Sequence, residues 1–325
     1  VLAISSYYLL KKRDIPFARR SFAIAAIFGL ASTLCVILLG DESGYELGDV
    51  QKTKLAAIEA EWHTEPAPAA FTLFGIPNQK EMRTDYAIKI PYVMGIIATR
   101  STDKQVTGIH DLMKEHEIRI RNGMVAYSEL EKLRAGDRSP ELLASFEKNQ
   151  KDLGYGLLLK KYTPNVVDAT EEHIKAATKD TIPNVAALFF SFRAMVASGA
   201  LMLLLFLLAA WSVAKRNAET KPWLLKFALF ALPLPWIAIQ TGWYVAEGGR
   251  QPWSIGEVLP THLSASSLST GDVWGSIIAL AAFYTVLLII EMYLMIKFAR
   301  LGPSSLHTGK YHFEKLAAKT GEAQS

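Results

Sequence analysis

The 325-residue chain has a single cysteine, Cys35, set in an apolar run. That excludes disulfides within the chain, cysteine-rich zinc sites and iron–sulfur clusters. Charge of one sign is also scarce: 35 Lys and Arg against 31 Asp and Glu leave a net +4. So small and dispersed a surplus does not indicate a nucleic-acid partner. Histidine is missing from the apolar runs, since His63, His110, His116, His173, His262, His307 and His312 all fall in loops or the tail. The chain opens at Val1 with neither an initiator methionine nor a basic leader. Its first run, VLAISSYYLL, falls short of the about 20 apolar residues that a bilayer demands. It reads as the end of a span whose beginning lies upstream, so the chain is expected to be a fragment. No internal repeat is visible, which counts against inverted-repeat transporters.

What is present is apolar surface in blocks. Half of the residues are hydrophobic, yet 20% are charged, and the mean hydropathy is +0.17. These values suit several membrane spans plus one sizeable polar region. Residues 1–40 hold the end of one span and one full span at about 22–40. Residues 186–298 hold three more, at about 186–213, 224–246 and 272–297, and 299–325 form a tail. Basic residues cluster after the stub (Lys11, Lys12, Arg13, Arg19, Arg20), after the 186–213 span (Lys215, Arg216, Lys221, Lys226) and in the tail (Lys297, Arg300, Lys310, Lys315, Lys319). The 247–271 loop carries only Arg250 against Glu247 and Glu257. The positive-inside rule puts the three basic segments in the cytoplasm and 41–185 outside.

The expected fold class is all-α: a polytopic transmembrane bundle with a mostly helical extracytoplasmic segment, 41–185. Within that segment Asp49 can cap a helix running to Trp62, with Pro66 and Pro68 stopping it. Thr107 opens a longer helical stretch that Gly136 closes, and Thr170 before Glu171 and Glu172 looks like another start.

Few polar residues interrupt the spans. Arg193 in FFSFRAMVASGALMLLL costs about 2.5–3.5 kcal/mol on insertion scales and needs a partner, either a heme propionate or a carboxylate on another helix. Met195 is packing by default, but its soft thioether can also ligate ferrous heme. Two residues apart on a helix, these side chains point about 200° apart. In GWYVAEGGRQPW (242–253), Glu247 precedes a Gly–Gly break and Arg250 returns three positions later, beside Trp243 and Trp253. Interfacial anchoring with a Glu–Arg ion pair explains this without chemistry; a cofactor site is the alternative. Glu291 in the last span is helix–helix glue or part of a proton path.

GWYVAEGGRQPW resembles the GWxxxExGRQPW signature of subunit I of the cytochrome bd quinol oxidases. KLAAIEAEW (54–62), EIRIRNG (117–123), QKDLGYGLLLKKYTPN (150–165) and ARLGPSSLHTGKYHFE (299–314) are also similar to that family. The resemblance implies that 41–185 is the quinol-binding loop in its long form, with Lys54 and Glu59 taking part in quinol oxidation. Their spacing alone, about 140° around a helix, would favour a solvated face. Met195 matches an axial ligand of low-spin heme b, with Arg193 next to that heme. Glu247 matches a ligand of high-spin heme b, Arg250 lies close to it, and Trp243 lies between the hemes. A third heme, heme d or another heme b, and the remaining ligands are implied in N-terminal helices of the same subunit.

The implied activity is a quinol:oxygen oxidoreductase of the bacterial inner membrane, with 41–185 periplasmic and the C-terminus cytoplasmic. Membrane quinol (ubiquinol or menaquinol) is oxidised and dioxygen is reduced to water with charge separation. Implied partners are the lipid bilayer, the N-terminal part of the subunit, a second large membrane subunit and a small single-span subunit. An ion transporter or channel using Arg193, Glu247 and Glu291, and a heme-free assembly or receptor subunit, are the competing readings.

Overall fold

The computed structural model describes residues 1–67, 69–95, 100–101 and 105–301, without the side chains of 49 and 299–301. The helix expected from Asp49 to Trp62 instead starts after Gln51 and ends at Glu59, while the Pro68 stop, the Arg300 side chain and the tail from 302 onward lie outside the described residues. The fold is an all-α polytopic bundle with a few short strands. Four stretches are long and apolar enough to cross a membrane: Ile15–Gly48, one ending at Ala214, Pro222–Gly248 and Thr270–Phe298.

A short helix α1 (Leu2–Leu10) leads into α2 (Ile15–Val50), which runs about ten residues past the apolar stretch. Nothing in GDESGYELGDV stops it, because no proline or helix-ending turn intervenes. After it comes α3 (Lys52–Glu59), which ends at Ala60 in the left-handed region, φ 52°. The span α8 (Val185–Ala214) is continuous and begins with the Asn184 side chain accepting from the Ala187 amide. The expected 224–246 span is present as Pro222–Gly248 and is divided by a turn into α9 (Pro222–Phe230) and α10 (Leu234–Gly248). Pro233 and Pro235 explain the break, each lacking the amide that an unbroken helix would use. Leu2, Phe22, Ala26, Leu205, Leu224 and Leu225 form the buried core that joins α1, α2, α8 and α9. The last span, α11 (Thr270–Leu301), belongs to a separate compact unit beginning at Ser266.

The polar segment contains a feature that the helical expectation missed. Strands β1 (Phe71–Asn78) and β2 (Arg83–Ile90) form an antiparallel hairpin, pairing Phe71 with Ile90 and Asn78 with Arg83. Its turn is stabilised by the Asn78 side chain, which accepts from the Lys80 and Glu81 amides. Gly75, Pro77 and two register shifts break the alternation that would have announced strands.

Next come α4 (Ile109–Arg134), α5 (Pro140–Asn149), α6 (Leu153–Leu157) and α7 (Glu171–Asp180). Thr170 does cap α7, accepting from the His173 amide in a reciprocal capping box. Ile120, Tyr155, Leu159, Val166, Ile174 and Trp253 bury one another at the centre of this segment. The two strands β3 (Trp253–Ile255) and β4 (Leu259–Pro260) pair and close the 249–264 loop over it.

The α4–α6 contact depends on a glycine. A Cβ at Gly123 would lie 2.3 Å from the Asp152 carbonyl oxygen and 2.4 Å from the Gly156 nitrogen. Both are backbone atoms and cannot swing away. Gly123→Ala should therefore destabilise the polar segment by about 1–3 kcal/mol, read as a thermal midpoint lowered by several degrees in the purified protein. Gly44→Ala, on α2 with nothing within 4 Å of its Cβ, should be neutral or stabilising by up to about 1 kcal/mol.

Candidate functional site

The candidate residues fall into two places joined by α3. On one side of that helix, Glu59 is buried at 3% exposure and faces α8. Its Oε2 accepts from Arg193 Nη2 at 3.0 Å. The guanidinium also donates from Nη1 to the Ile58 carbonyl at 2.7 Å and to Phe189 at 3.2 Å, and from Nε to the Thr72 carbonyl at 3.1 Å. A further Nη2 bond goes to Thr72. All five N–H groups of a guanidinium are thus engaged. Of the two partners the sequence allows for Arg193, the carboxylate is the one found, and Arg193 has no donor left for a propionate. The planar group also stacks 3.3 Å from the centroid of the Phe189 ring. Burial pushes the Glu59 carboxyl up to about 7; Arg193 opposes the shift and Glu61 adds to it.

On the other side, Lys54 is 9% exposed and donates to Gln51 Oε1 at 3.1 Å. The solvated-face reading of Lys54 and Glu59 therefore fails. The hairpin and α8 cover one side of α3, and the 249–257 loop covers the other. The Lys54 stem lies so close to Gly249 that a Cβ there would meet Lys54 Cε and Cγ at 2.8 Å. Burial lowers the Lys54 pKa, the Arg250 guanidinium adds to the shift, and Glu247 opposes it. Glu247 Oε1 accepts from Arg250 Nη2 at 2.8 Å, with both side chains about half exposed. The second Glu247 oxygen has no protein partner among the described residues.

Met195 turns away from Arg193, as the helical spacing requires, and meets α10. A Cβ at Gly242 would lie 2.9 Å from its Sδ. Two glycines of GWYVAEGGRQPW thus serve close approach, Gly242 for Met195 and Gly249 for Lys54. Trp243 is 65% exposed on the same helix. This donor set suits heme iron: a thioether without a hydrogen-bond partner among the described residues, and a carboxylate with one oxygen unpartnered among them and the other held by a cation.

Lys54 and Arg250 open into a cavity of about 710 Å3 that Glu59 does not line. His116, Arg119, Tyr155 and Trp253 form its other walls. Arg119 bridges three elements, donating to Asp152 at 2.8 Å, Glu257 at 2.9 Å and the Tyr155 hydroxyl at 3.2 Å. Tyr155 donates in turn to Glu257 at 3.1 Å and meets Trp253 edge-on, with centroids 5.0 Å apart. His116 is buried between Thr181, at 2.8 Å from Nδ1, and Thr53, at 3.3 Å from Nε2. Burial drops its pKa to about 4, and Arg119 adds to the effect. Sequence reasoning read Trp253 as an interfacial anchor and assigned no role to His116, Arg119 or Tyr155. Arg119 and Tyr155 lie inside the family-like stretches EIRIRNG and QKDLGYGLLLKKYTPN, which was the available signal.

Comparison with known proteins gives a consistent result. The profile of the family described as cytochrome bd terminal oxidase subunit I matches residues 1–303. The chain is 45% identical over 308 residues to cytochrome bd-II ubiquinol oxidase subunit 1 of Escherichia coli (strain K12), covering 95% of this chain and 60% of that protein. It is 28% identical over 303 residues to cytochrome bd ubiquinol oxidase subunit 1 of Bacillus subtilis (strain 168), covering 93% and 53%. The chain thus spans between half and two thirds of the length of these relatives.

Two expectations follow from this geometry. Arg193→Met leaves Glu59 and three carbonyls without their donor and should cost about 3–5 kcal/mol. Glu59→Gln removes the counter-charge but keeps an acceptor and all three carbonyls for Arg193, and should cost less, about 1–3 kcal/mol. Thermal midpoints of the two variants test this, and equal losses would contradict the clamp. The second concerns pH. His116 has its folded pKa depressed from 6.5 to about 4, so its contribution is complete above 6.5 and is lost as pH falls towards 4. Against the parent, His116→Gln should gain relative stability across that window, and a pH-independent difference would refute the assignment.

Proposed function

We propose, from the premise that the chain belongs to the cytochrome bd terminal oxidase subunit I family, that it forms the quinol-oxidising, heme-bearing part of a respiratory terminal oxidase in a bacterial inner membrane. The observation that carries this reading is the seating of Lys54 on Gly249. It brings the KLAAIE segment, which the family resemblance associates with quinol, against the loop that follows Glu247. A transporter or receptor reading gives no reason for that contact.

The quinol ring is taken to occupy the cavity at Lys54. Its volume lies within the roughly 300–1,000 Å3 usual for small-molecule sites. Tyr155 and Trp253 supply aromatic surface, and the Lys54 ammonium donates to a quinol oxygen and stabilises the anion that forms there. Glu59, five residues along α3 and on its α8 side, acts as a proton acceptor whose pKa near neutrality suits the task. Arg193 works by position, holding α3 against the helix that carries Met195.

Met195 is assigned to the iron of low-spin heme b and Glu247 to that of high-spin heme b, with Trp243 between them. Arg250 orients Glu247 by holding one of its oxygens. The hemes, including a third of d or b type, supply one-electron acceptance and the reduction of dioxygen to water. Exposed apolar side chains such as Trp236 and Ile239 on α10 are left for lipid, cofactor, the rest of the subunit, or the second large and small single-span subunits. The distribution of basic residues supports a periplasmic 41–185 and a cytoplasmic C-terminus.

Four variants of the assembled complex test the assignments. Met195→Leu, nearly volume-conserving, should remove the low-spin band from the reduced-minus-oxidised spectrum. Glu247→Gln should alter or remove the high-spin heme, and Arg250→Gln should do so less. Unchanged spectra in both ligand variants, or equal effects at Glu247 and Arg250, would leave the ion pair as a mere anchor. Lys54→Leu should cut quinol turnover at least about tenfold with heme content preserved.

A further inference from the structure

The chain holds a second buried carboxylate beside Glu59 that the preceding mechanism does not use. Glu61 is 5% exposed. Its backbone is fastened on both sides: its amide donates to the Ala56 carbonyl at 2.9 Å and its carbonyl accepts from the Ile109 amide at 2.8 Å. Ala60, between the two glutamates, takes the left-handed conformation that turns the chain under the hairpin. Trp62, next along, donates to the Thr84 hydroxyl of β2 at 2.9 Å and seals that side. Yet the Glu61 carboxylate has no hydrogen bond or ion pair among the described residues. An ionised carboxylate so buried is costly, and the ordinary relief is to hold a proton.

We propose that Glu61 is a proton-relay residue, taking a proton from Glu59 and delivering it to water beside Glu65 and Lys89. The inference rests on the quinol reading above and adds the route that the proton leaves by. Among the described residues, Glu65 and Lys89 act on Glu61 from the surface side, and Glu61 in turn acts on Glu59 of α3, itself held by Arg193 of α8. Glu65 and Lys89 pair with each other, with side chains 29% and 39% exposed, so the row ends in solvent. Burial, reinforced by Glu65 and opposed by Lys89, pushes Glu61 up to about 7, level with Glu59. Transfer between groups of matched affinity is nearly isoenergetic, which is what a relay needs at neutral pH.

The step balances simply. A quinol O–H bond breaks and, because Glu59 does not line the cavity, its proton reaches a Glu59 oxygen through intervening water. A proton then passes from Glu59 to Glu61, and from there to water. The quinol loses two protons in this way, and its two electrons leave one at a time, each accepted by heme iron, the acceptor class of the family.

The test uses the assembled complex with Glu61→Gln and Glu61→Asp. Glu61→Gln should lower quinol turnover on the order of tenfold or more and abolish the limb of the pH–rate profile near neutrality, while Glu61→Asp restores both. Infrared difference spectra across a pH titration should show protonated-carboxyl band intensity titrating near neutrality, of which Glu61→Gln removes one component and leaves that of Glu59, whether or not the enzyme turns over. A parental pH profile and band in Glu61→Gln would overturn the relay. So would a loss of turnover accompanied by a lowered thermal midpoint that Glu61→Asp fails to rescue. Normal turnover in both Lys54→Leu and Glu59→Gln would sink the quinol reading itself. Impairment in those two with none in Glu61→Gln would sink the relay alone.

Discussion

The guanidinium of Arg193 is the point on which the polar segment hangs. A cation in an apolar helix must be neutralised and hydrogen-bonded, and α8 alone offers it only the Phe189 carbonyl. The remaining partners come from Glu59, Ile58 and Thr72. The need of one buried charge thus draws α3 and β1 onto α8. With α3 fixed there, Lys54 must face the opposite way, towards the loop after α10. Met195, two residues beyond Arg193, must face α10 itself. Three of the candidate side chains take their directions from a single satisfied group.

Much of this was legible in the chain, and what was not has a physical reason. The spans announced themselves through hydropathy, and Thr170 through its capping pattern. The requirement for a partner at Arg193 followed from solvation, but the choice of partner did not, since Glu59 lies 134 positions away. Burial of Lys54 and Glu59 was hidden for the same reason. Helical spacing says that two residues face apart, not whether anything covers both faces. The β-hairpin was missed because Gly75, Pro77 and two register shifts erased its period of two. The 224–246 span was read as one helix although Pro233 and Pro235 mark its break.

The signature stretch was recognised through its residues, and the geometry supplies a reason for two of them. Gly242 and Gly249 are small because sulfur and a lysine stem lie where a Cβ would be. Such motifs record contacts with distant parts of the chain, which is why composition and periodicity do not explain them. The cavity walls illustrate the limit further. His116, Tyr155 and Trp253 come from α4, α6 and β3, and only the tertiary fold makes them neighbours.

The contact between Lys54 and Gly249 has a thermodynamic corollary. Two peptides at van der Waals distance, one beginning α3 and the other following Glu247, cannot shift independently. A ligand that draws the Lys54 ammonium towards itself changes the packing on Gly249, and so the free energy of arrangements at Glu247. Linkage is reciprocal, so whatever occupies or vacates the free oxygen of Glu247 alters affinity at Lys54 by the same factor. The two ends of the molecule's chemistry would then report on each other's occupancy through a single missing methyl group, and enlarging Gly249 would sever that correspondence.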